Sequence, residues 1–311
     1  MKGEVVMVHI ITHNDLDGYS AGYVVLQHFG KENCNIEHFN YDKEPAIEKY
    51  GEGDTVVITD YSLTNDQYRQ ILAQIGDEGN VIWLDHHITA INRYREEKDL
   101  CLQGIRSTKW CGAALAWFYF NDFDTEDVEN IPYEELVEKL PLWLRLVDAW
   151  DTWKLDSKYR IAAEALNEFS SVNITNSLEL RDIATSRVAL QECIDIGDIY
   201  MEYKNAWAKK FRDKYMFIDK EIPGELFGTS RDLKMAMLNI GCANSIFFGE
   251  QIDECDVCMT FCFDGERVVC SVYSNKDDVD CSLFAKHHGG GGHKGAAGFS
   301  IDNADSLDNI F

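Results

Sequence analysis

A chain of 311 residues with 45% apolar and 12% aromatic side chains exceeds one typical domain and has material for packed cores. Its formal charge of −25 argues against a surface that grips long duplex nucleic acid, since such surfaces carry basic patches. Only four prolines argue against disorder, and no run of about 18 apolar residues is present to span a membrane.

The first 90 residues alternate strand and helix signals. Val5–Thr12 is a continuous apolar run, too short for a signal peptide and suited to a strand covered on both faces. Ala21, Val24, Val25 and Phe29 then share one side of a helix that stops at Gly30. A second strand is expected over Asn35–Tyr41 and a third over Thr55–Thr59, ending at Asp60. Thr64-x-x-Gln67 reads as a capping box for a helix with Tyr68, Ile71, Leu72 and Ile75 on one face and Gly76 at its end. Val81–Leu84 is a fourth strand, ending at Asp85. Such alternation predicts an α/β fold whose N-terminal, mainly parallel sheet is flanked by helices.

The middle of the chain reads as helical. Cys111–Phe120 and Leu136–Trp153 are apolar, with Pro141 opening a fresh helix, and Asn176–Tyr215 is a charged, amphipathic tract. Strands follow at Lys234–Ile240, Val257–Phe263 and Arg267–Ser274, the last two joined at Asp264-Gly265, giving a smaller C-terminal α/β domain. The domain boundary falls softly within 165–220. Ten cysteines without a secretory signal read as reduced thiols of a cytoplasmic protein. Cys255-Asp-Val-Cys258 lacks the second pair that a zinc site needs, so Cys258, Cys262 and Cys270 are expected as buried thiols in a hairpin.

Three strand ends carry the chemistry. The first runs into His13-Asn14-Asp15-Leu16-Asp17-Gly18, the third into Asp60, the fourth into Asp85-His86-His87. In an open parallel sheet these carboxyl ends share one edge, where ligands bind. Any one aspartate after a strand is commonly a helix cap. Crowding four carboxylates with histidines, however, calls for cations, because like charges raise each other's pKa. Imidazole mixed with carboxylate suits manganese, or iron, cobalt or zinc, better than calcium. His13, Asp15 and Asp17 alternate along an extended segment and face one way, and Asp60 lies between the two turns, placed to bridge two metals. A further carboxylate is expected from Asp148 or Asp151, three apart on one helix face, with the choice left open. The segment Lys286–Phe299 holds Gly289–Gly292 followed by His293 and Lys294. Its glycines allow close backbone approach and its amides suit an anion, so it is expected to be a ligand loop more than a flexible run.

Together these motifs resemble the DHH phosphoesterases, named for the triplet seen here as Asp85-His86-His87. The first motif is similar to His13-Asn-Asp15-Leu-Asp17-Gly18, the second to Asp60, and Gly289–Gly292 with His293 resembles the motif of the DHH-associated C-terminal domain. The resemblance implies a catalytic domain over 1–165, a helical linker over 166–220 and a substrate-binding domain over 221–311. It implies two manganese ions, one on His13, Asp15 and Asp60, the other on Asp17, Asp60, His86 and Asp151, with Asp148 as the alternative. His87 would contact the scissile phosphate or assist the leaving oxygen, and Asp85 would orient an imidazole. Gly290, Gly291, Gly292 and His293 would hold substrate. The one-residue gap between His13 and Asp15 resembles the B-type nanoRNases more than the A-type.

The function expected from this set is hydrolysis of short oligoribonucleotides or small nucleotides by a two-metal-activated water. Alternatives are a phosphoesterase acting on cyclic dinucleotides or 3′-phosphoadenosine phosphate, a pyrophosphatase, and, from another class, an inactive nucleotide-binding regulator. The expected partners are the short substrate, no membrane and no long duplex. Substrate identity, polarity of cleavage, native metal and a homodimeric state stay open in the sequence.

Overall fold

Val8–His13 forms strand β1 in the computed structural model, which describes residues 7–40, 43–154, 157–241 and 243–302. The first residues of the apolar run expected from Val5, and Tyr41 of the second expected strand, lie outside the described residues. β1 leads into helix α1 (Leu16–Phe29) and β2 (Cys34–Phe39), then β3 (Thr55–Thr59), α2 (Asn65–Ile75), β4 (Asn80–Leu84) and α3 (Ile88–Arg95). Thr64 and Gln67 form the reciprocal capping box at the start of α2, and Gly76 ends it. The helix α3, directly after the second histidine, is an element the sequence pattern does not announce, since only Ala90 and Ile91 of its eight residues are buried.

The four strands lie in the order β2-β1-β3-β4, all parallel. Register does the positioning. Thr12 pairs with Thr59, and Thr59 with Leu84, so the next residues of the three strands, His13, Asp60 and Asp85, emerge level at one edge. Strand order reverses between β1 and β3, the place where open α/β sheets bind ligands. Alternation covers both faces of the sheet. Ile11, Val56, Ile58, Val81 and Trp83 pack with Tyr68, Ile71, Ile75 and Ile91 of α2 and α3. Thr12, one step from Ile11, instead meets α1, where Gly22 comes close to the Thr12 methyl and to Ile36.

Helix α4 (Gly112–Phe120) follows, then the short α5 (Thr125–Asn130) and α6 (Tyr133–Leu136), and α7 (Leu142–Asp151). The apolar tract Leu136–Trp153 is therefore not one helix. It breaks into a 3₁₀ turn over Val137–Lys139 and restarts after Pro141, which caps α7 from just outside it. The tract Asn176–Tyr215 also divides. Helix α8 (Arg160–Asn173) precedes a 3₁₀ turn and α9 (Arg181–Thr185), and α10 (Arg187–Tyr215) begins after Ser186. Among the described residues no helix is long and apolar enough to cross a membrane.

The chain divides into two compact units, Met1–Tyr200 and Met201–Phe311. In the second, strands β5 (Met216–Ile222) and β6 (Leu233–Asn239), helix α11 (Gln251–Glu254), strands β7 (Val257–Phe263) and β8 (Val268–Tyr273), helix α12 (Cys281–His287) and strands β9 (Gly291–Gly292) and β10 (Ala296–Ile301) follow in turn. They make a mixed sheet in the order β5-β6-β7-β8-β10-β9, parallel only between β6 and β7. Its core joins Met235, Val257, Met259, Cys270 and Val272 to Phe284 of α12 and Phe299 of β10. The three strands expected here are present, and Cys258 and Cys270 are buried thiols of the β7–β8 hairpin.

Candidate metal centre

Most candidate residues of the first unit sit at or next to the end of a regular element, and Asp148, inside α7, does not. His13 is the last residue of β1, and its Nδ1 lies 2.7 Å from Oδ2 of Asp15. Asp15 caps α1, its Oδ1 accepting from the Gly18 amide at 2.9 Å. This tight turn needs Gly18 itself, because a Cβ there would sit 2.3 Å from the His13 carbonyl oxygen. Asp60 follows β3 in the left-handed region, with φ of 50°, and is 2% exposed. A buried aspartate in that conformation marks a place where backbone strain is tolerated to aim a side chain.

Asp85 is fully buried after β4. Its Oδ1 accepts from the amides of His86 (2.8 Å) and His87 (3.2 Å) and faces Nδ1 of His87 at 2.7 Å. That bond fixes the ring of His87. The His86 ring turns into the cluster instead, its Nε2 lying 3.2 Å from Asp60, 3.4 Å from Asp151 and 3.8 Å from Asp17.

Asp151, at the end of α7, is thus the helix carboxylate beside His86. Asp148 is not. Its Oδ1 accepts from the Cys111 amide at 2.9 Å, and its Oδ2 from the Tyr133 hydroxyl and the Lys154 ammonium, each at 2.8 Å. With both oxygens committed one helical turn away, Asp148 belongs to none of the groups placed to hold a metal, and its candidacy as a ligand is corrected to a structural position.

Asp17 meets a feature that the sequence pattern does not reveal. Its two oxygens accept from the amides of Gly112 (2.6 Å) and Ala113 (2.8 Å), the first residues of α4. The positive end of a helix thereby holds a buried carboxylate. Gly112 is also pressed against Asp60, where an added Cβ would lie 2.4 Å from the Asp60 Cβ. The visible trace in sequence is the small-residue run Gly112-Ala113-Ala114, which reads only as apolar helix.

Charge shapes the site. Burial, followed by the carboxylates of Asp17, Asp15, Asp151 and Asp85, pushes the Asp60 carboxyl well above the usual carboxylate range. Burial and then Asp17, Asp15 and Asp148 do the same to Asp151. Burial holds His86 below the usual imidazole range, outweighing Asp17. At His87 burial acts downward too, but the bond and charge of Asp85 prevail and raise it. This is a negative cluster that a cation relieves.

The residues fit divalent metal. Oδ2 of Asp151 is buried without a hydrogen bond, an orphaned acceptor aimed at the cluster. Three overlapping sets, His13 with Asp15 and Asp60, Asp17 with His86 and Asp151, and Asp60 with His86 and His87, each offer ligand atoms within 4.8 Å of one another. Asp60 belongs to two of them. No cysteine takes part in these sets among the described residues.

The glycine run has a structural reason of its own. β9 pairs with Ala297 and Gly298 of β10, and a Cβ at Gly290 would meet the Gly298 carbonyl oxygen at 2.1 Å. Gly292 has φ of 141°, whereas a Cβ on Gly291 would meet open space. His293 is exposed, its amide donating to the Ala296 carbonyl at 2.7 Å.

The fold is that of a DHH domain, as a solved structure it resembles shows. A search against family models matches none. The chain is 22% identical over 322 aligned residues to the oligoribonuclease NrnB of Bacillus subtilis, covering 95% of this chain and 73% of that one. Among solved structures it is similar to the DHH domain of a protein described as a member of a ribosomal-protein family (TM-score 0.58, 12% identity, 99% of this chain, 85% of that chain). It is also similar to the pGpG-specific phosphodiesterase PggH of Vibrio cholerae (TM-score 0.51, 13% identity, 97% and 96%). The chain has the fold of these proteins, and the resemblance read from its motifs is borne out.

Proposed function

We propose that the protein is a metal-dependent phosphodiesterase that hydrolyses very short oligoribonucleotides, with manganese as the working ion. The observation that carries this reading is the convergence of His13, Asp15, Asp17, Asp60, His86 and Asp151 in three groups joined through Asp60 and His86. Similarity to an oligoribonuclease over 95% of the chain supports the substrate class. The mixture of imidazole and carboxylate donors supports manganese over calcium. Free thiols at all nine described cysteines fit a reducing, cytoplasmic setting.

Ions bound there supply Lewis acidity that polarises a phosphoryl oxygen and makes a water more acidic. His13, Asp15 and Asp60 would hold one ion, and Asp17, His86 and Asp151 with Asp60 the other. The protein's own groups do the remaining work. Asp85 accepts from Nδ1–H of His87, fixing the tautomer in which Nε2 is the basic nitrogen, placed to face the scissile phosphate or to take up a proton and pass it to the leaving oxygen. Buried Asp60 and Asp17 exclude bulk water from the inner side of the cluster. Gly290, Gly291, Gly292 and His293 are assigned to substrate binding in the second unit.

A panel of labelled two- to ten-nucleotide RNAs, pGpG, cyclic dinucleotides, 3′-phosphoadenosine phosphate and pyrophosphate, each with manganese, tests the proposal. Mononucleotide release from the shortest RNAs, abolished in Asp60→Ala, is expected. Full activity in Asp60→Ala, or turnover of pyrophosphate alone, overturns it, and a folded chain that binds nucleotides with no turnover is a regulator. His293→Ala is expected to raise KM with little change in kcat, and an unchanged KM removes the glycine loop from the site.

A further inference from the structure

Asp148 and Lys154 form a part-buried ion pair that the proposed reaction does not use. The Asp148 side chain is fully buried, and the Lys154 ammonium reaches it at 2.8 Å while also donating to the Lys109 carbonyl at 3.0 Å and to the Thr152 hydroxyl. The rings of Tyr133 and Trp110 lie 4.2 and 5.3 Å from that ammonium and cover it in part, its side chain being 21% exposed. Burying a carboxylate fully is costly when apolar residues could fill the same space, so the placement of Asp148 calls for a reason.

The backbone leading to Lys154 is shaped for it. After α7 the Trp153 amide donates to Trp150 and the Lys154 amide to Ala149, a Schellman turn that needs a left-handed residue. Glycine usually takes that place. Here Trp153 takes it, with φ of 51°, although its side chain is 59% exposed. The strained turn brings the next residue, Lys154, back over Asp148.

The other oxygen of Asp148 ends the chain of contacts. Oδ1 holds the amide of Cys111, which caps α4, and the next two amides, Gly112 and Ala113, hold both oxygens of Asp17. Three consecutive amides at one helix start are thus taken by two aspartates from different helices. We infer that Asp148, locked by Lys154 and Tyr133, is a positioning residue: it sets the start of α4, through which Asp17 is aimed at the metal cluster. The inference rests on reading that cluster as a metal centre. It replaces a choice between two ligands with a division of labour, Asp151 facing the cluster and Asp148 aiming Asp17.

The test compares Asp148→Ala, Asp148→Asn and, as a core truncation in α2 far from these contacts, Ile71→Ala. Hydrogen exchange at the Gly112 and Ala113 amides reads the link without metal. It is expected to quicken at least tenfold in Asp148→Ala, to recover in part in Asp148→Asn, which restores an acceptor for Cys111, and to stay native-like in Ile71→Ala. Calorimetric titration with manganese is expected to show affinity at least tenfold weaker in Asp148→Ala, in the 10- to 100-fold range typical of groups that orient ligands. Native exchange at both amides in Asp148→Ala overturns the inference, as does manganese affinity within twofold of native. An equal affinity loss in Ile71→Ala also overturns it, by reducing the effect to general stability. A native protein that binds no manganese sinks the metal reading instead, and the exchange experiment then decides by itself whether Asp148 sets the start of α4.

Discussion

Alanine at position 112 would set a Cβ 2.4 Å from the Cβ of Asp60 and 2.9 Å from its Cα. Neither neighbour is a flexible chain end, so α4 must withdraw from β3, and its amides must withdraw from Asp17 with it. Gly112→Ala is expected to cost about 1–3 kcal/mol of stability, the range for overpacking a tight contact. Manganese affinity is expected to fall about tenfold in the same variant, because two proposed ligands, Asp17 and Asp60, move together. Calorimetric titration at a temperature where the variant is fully folded separates the two effects, and native affinity would show that the contact is not felt at the site. This position also marks what sequence conveys. Asp60 is legible because it ends a β-rich run beside two other such ends. Gly112 acquires its role from a carboxylate on another element, and a helix written Gly-Ala-Ala-Leu looks the same whether or not an aspartate sits on its first turn. Asp148 and Asp151 look equivalent for a similar reason, since the groups that distinguish them, Cys111, Tyr133 and Lys154 for the one and His86 for the other, lie on or beyond other elements.

Among the elements, α2 and α4 show how local signals succeed or mislead. The capping box of α2 is complete within four residues, so it can be read directly, and Thr64→Ala is expected to cost about 1 kcal/mol in urea unfolding. α4 ends in a Schellman turn whose bonds run from Asp122 to Tyr119 and from Phe123 to Phe118, with the two phenylalanine rings 5.5 Å apart. Asp122 occupies the left-handed position with φ of 64°. Asp122→Gly is expected to raise stability by about 0.5–1 kcal/mol through relief of that conformation, and a drop on unfolding would show that the carboxylate itself is needed. Two of the elements missed in sequence lack the side-chain alternation that would reveal them. β9 is two glycines, visible only through its pairing with β10. α3 follows the site directly and buries too little to make a stripe, so its place is set by Asp85 and His87 more than by its own pattern.

For the molecule as a whole, Asp15, Asp17, Asp60, Asp85, Asp148 and Asp151 account for a small part of 54 acidic residues, so most of the charge of −25 lies elsewhere. Acidification therefore has two opposed consequences. Protonating surface carboxylates relieves self-repulsion, which favours the folded state. Histidines kept neutral by burial act the other way, and His38 of β2 is one of them. Its Nε2 lies 2.9 Å from the Ser177 hydroxyl, its ring packs edge-on against Tyr19, and burial pulls its pKa from 6.5 to about 4. Between those values the unfolded chain binds a proton that the folded chain does not, so stability falls as pH falls. The contribution of His38 is full above about 6.5, declines from there towards about 4, and changes no further once the folded form also protonates. Surface relief and the other histidines are common to the native protein and to His38→Gln, which keeps an amide donor for Ser177 but does not titrate. The difference between their unfolding free energies, followed by urea denaturation from pH 7.5 to pH 4, is thus expected to shift steadily in favour of the variant. Parallel curves across that range would mean that His38 is protonated in the fold at its ordinary pKa, and that the burial of β2 against α1 is looser than its contacts with Ser177 and Tyr19 indicate.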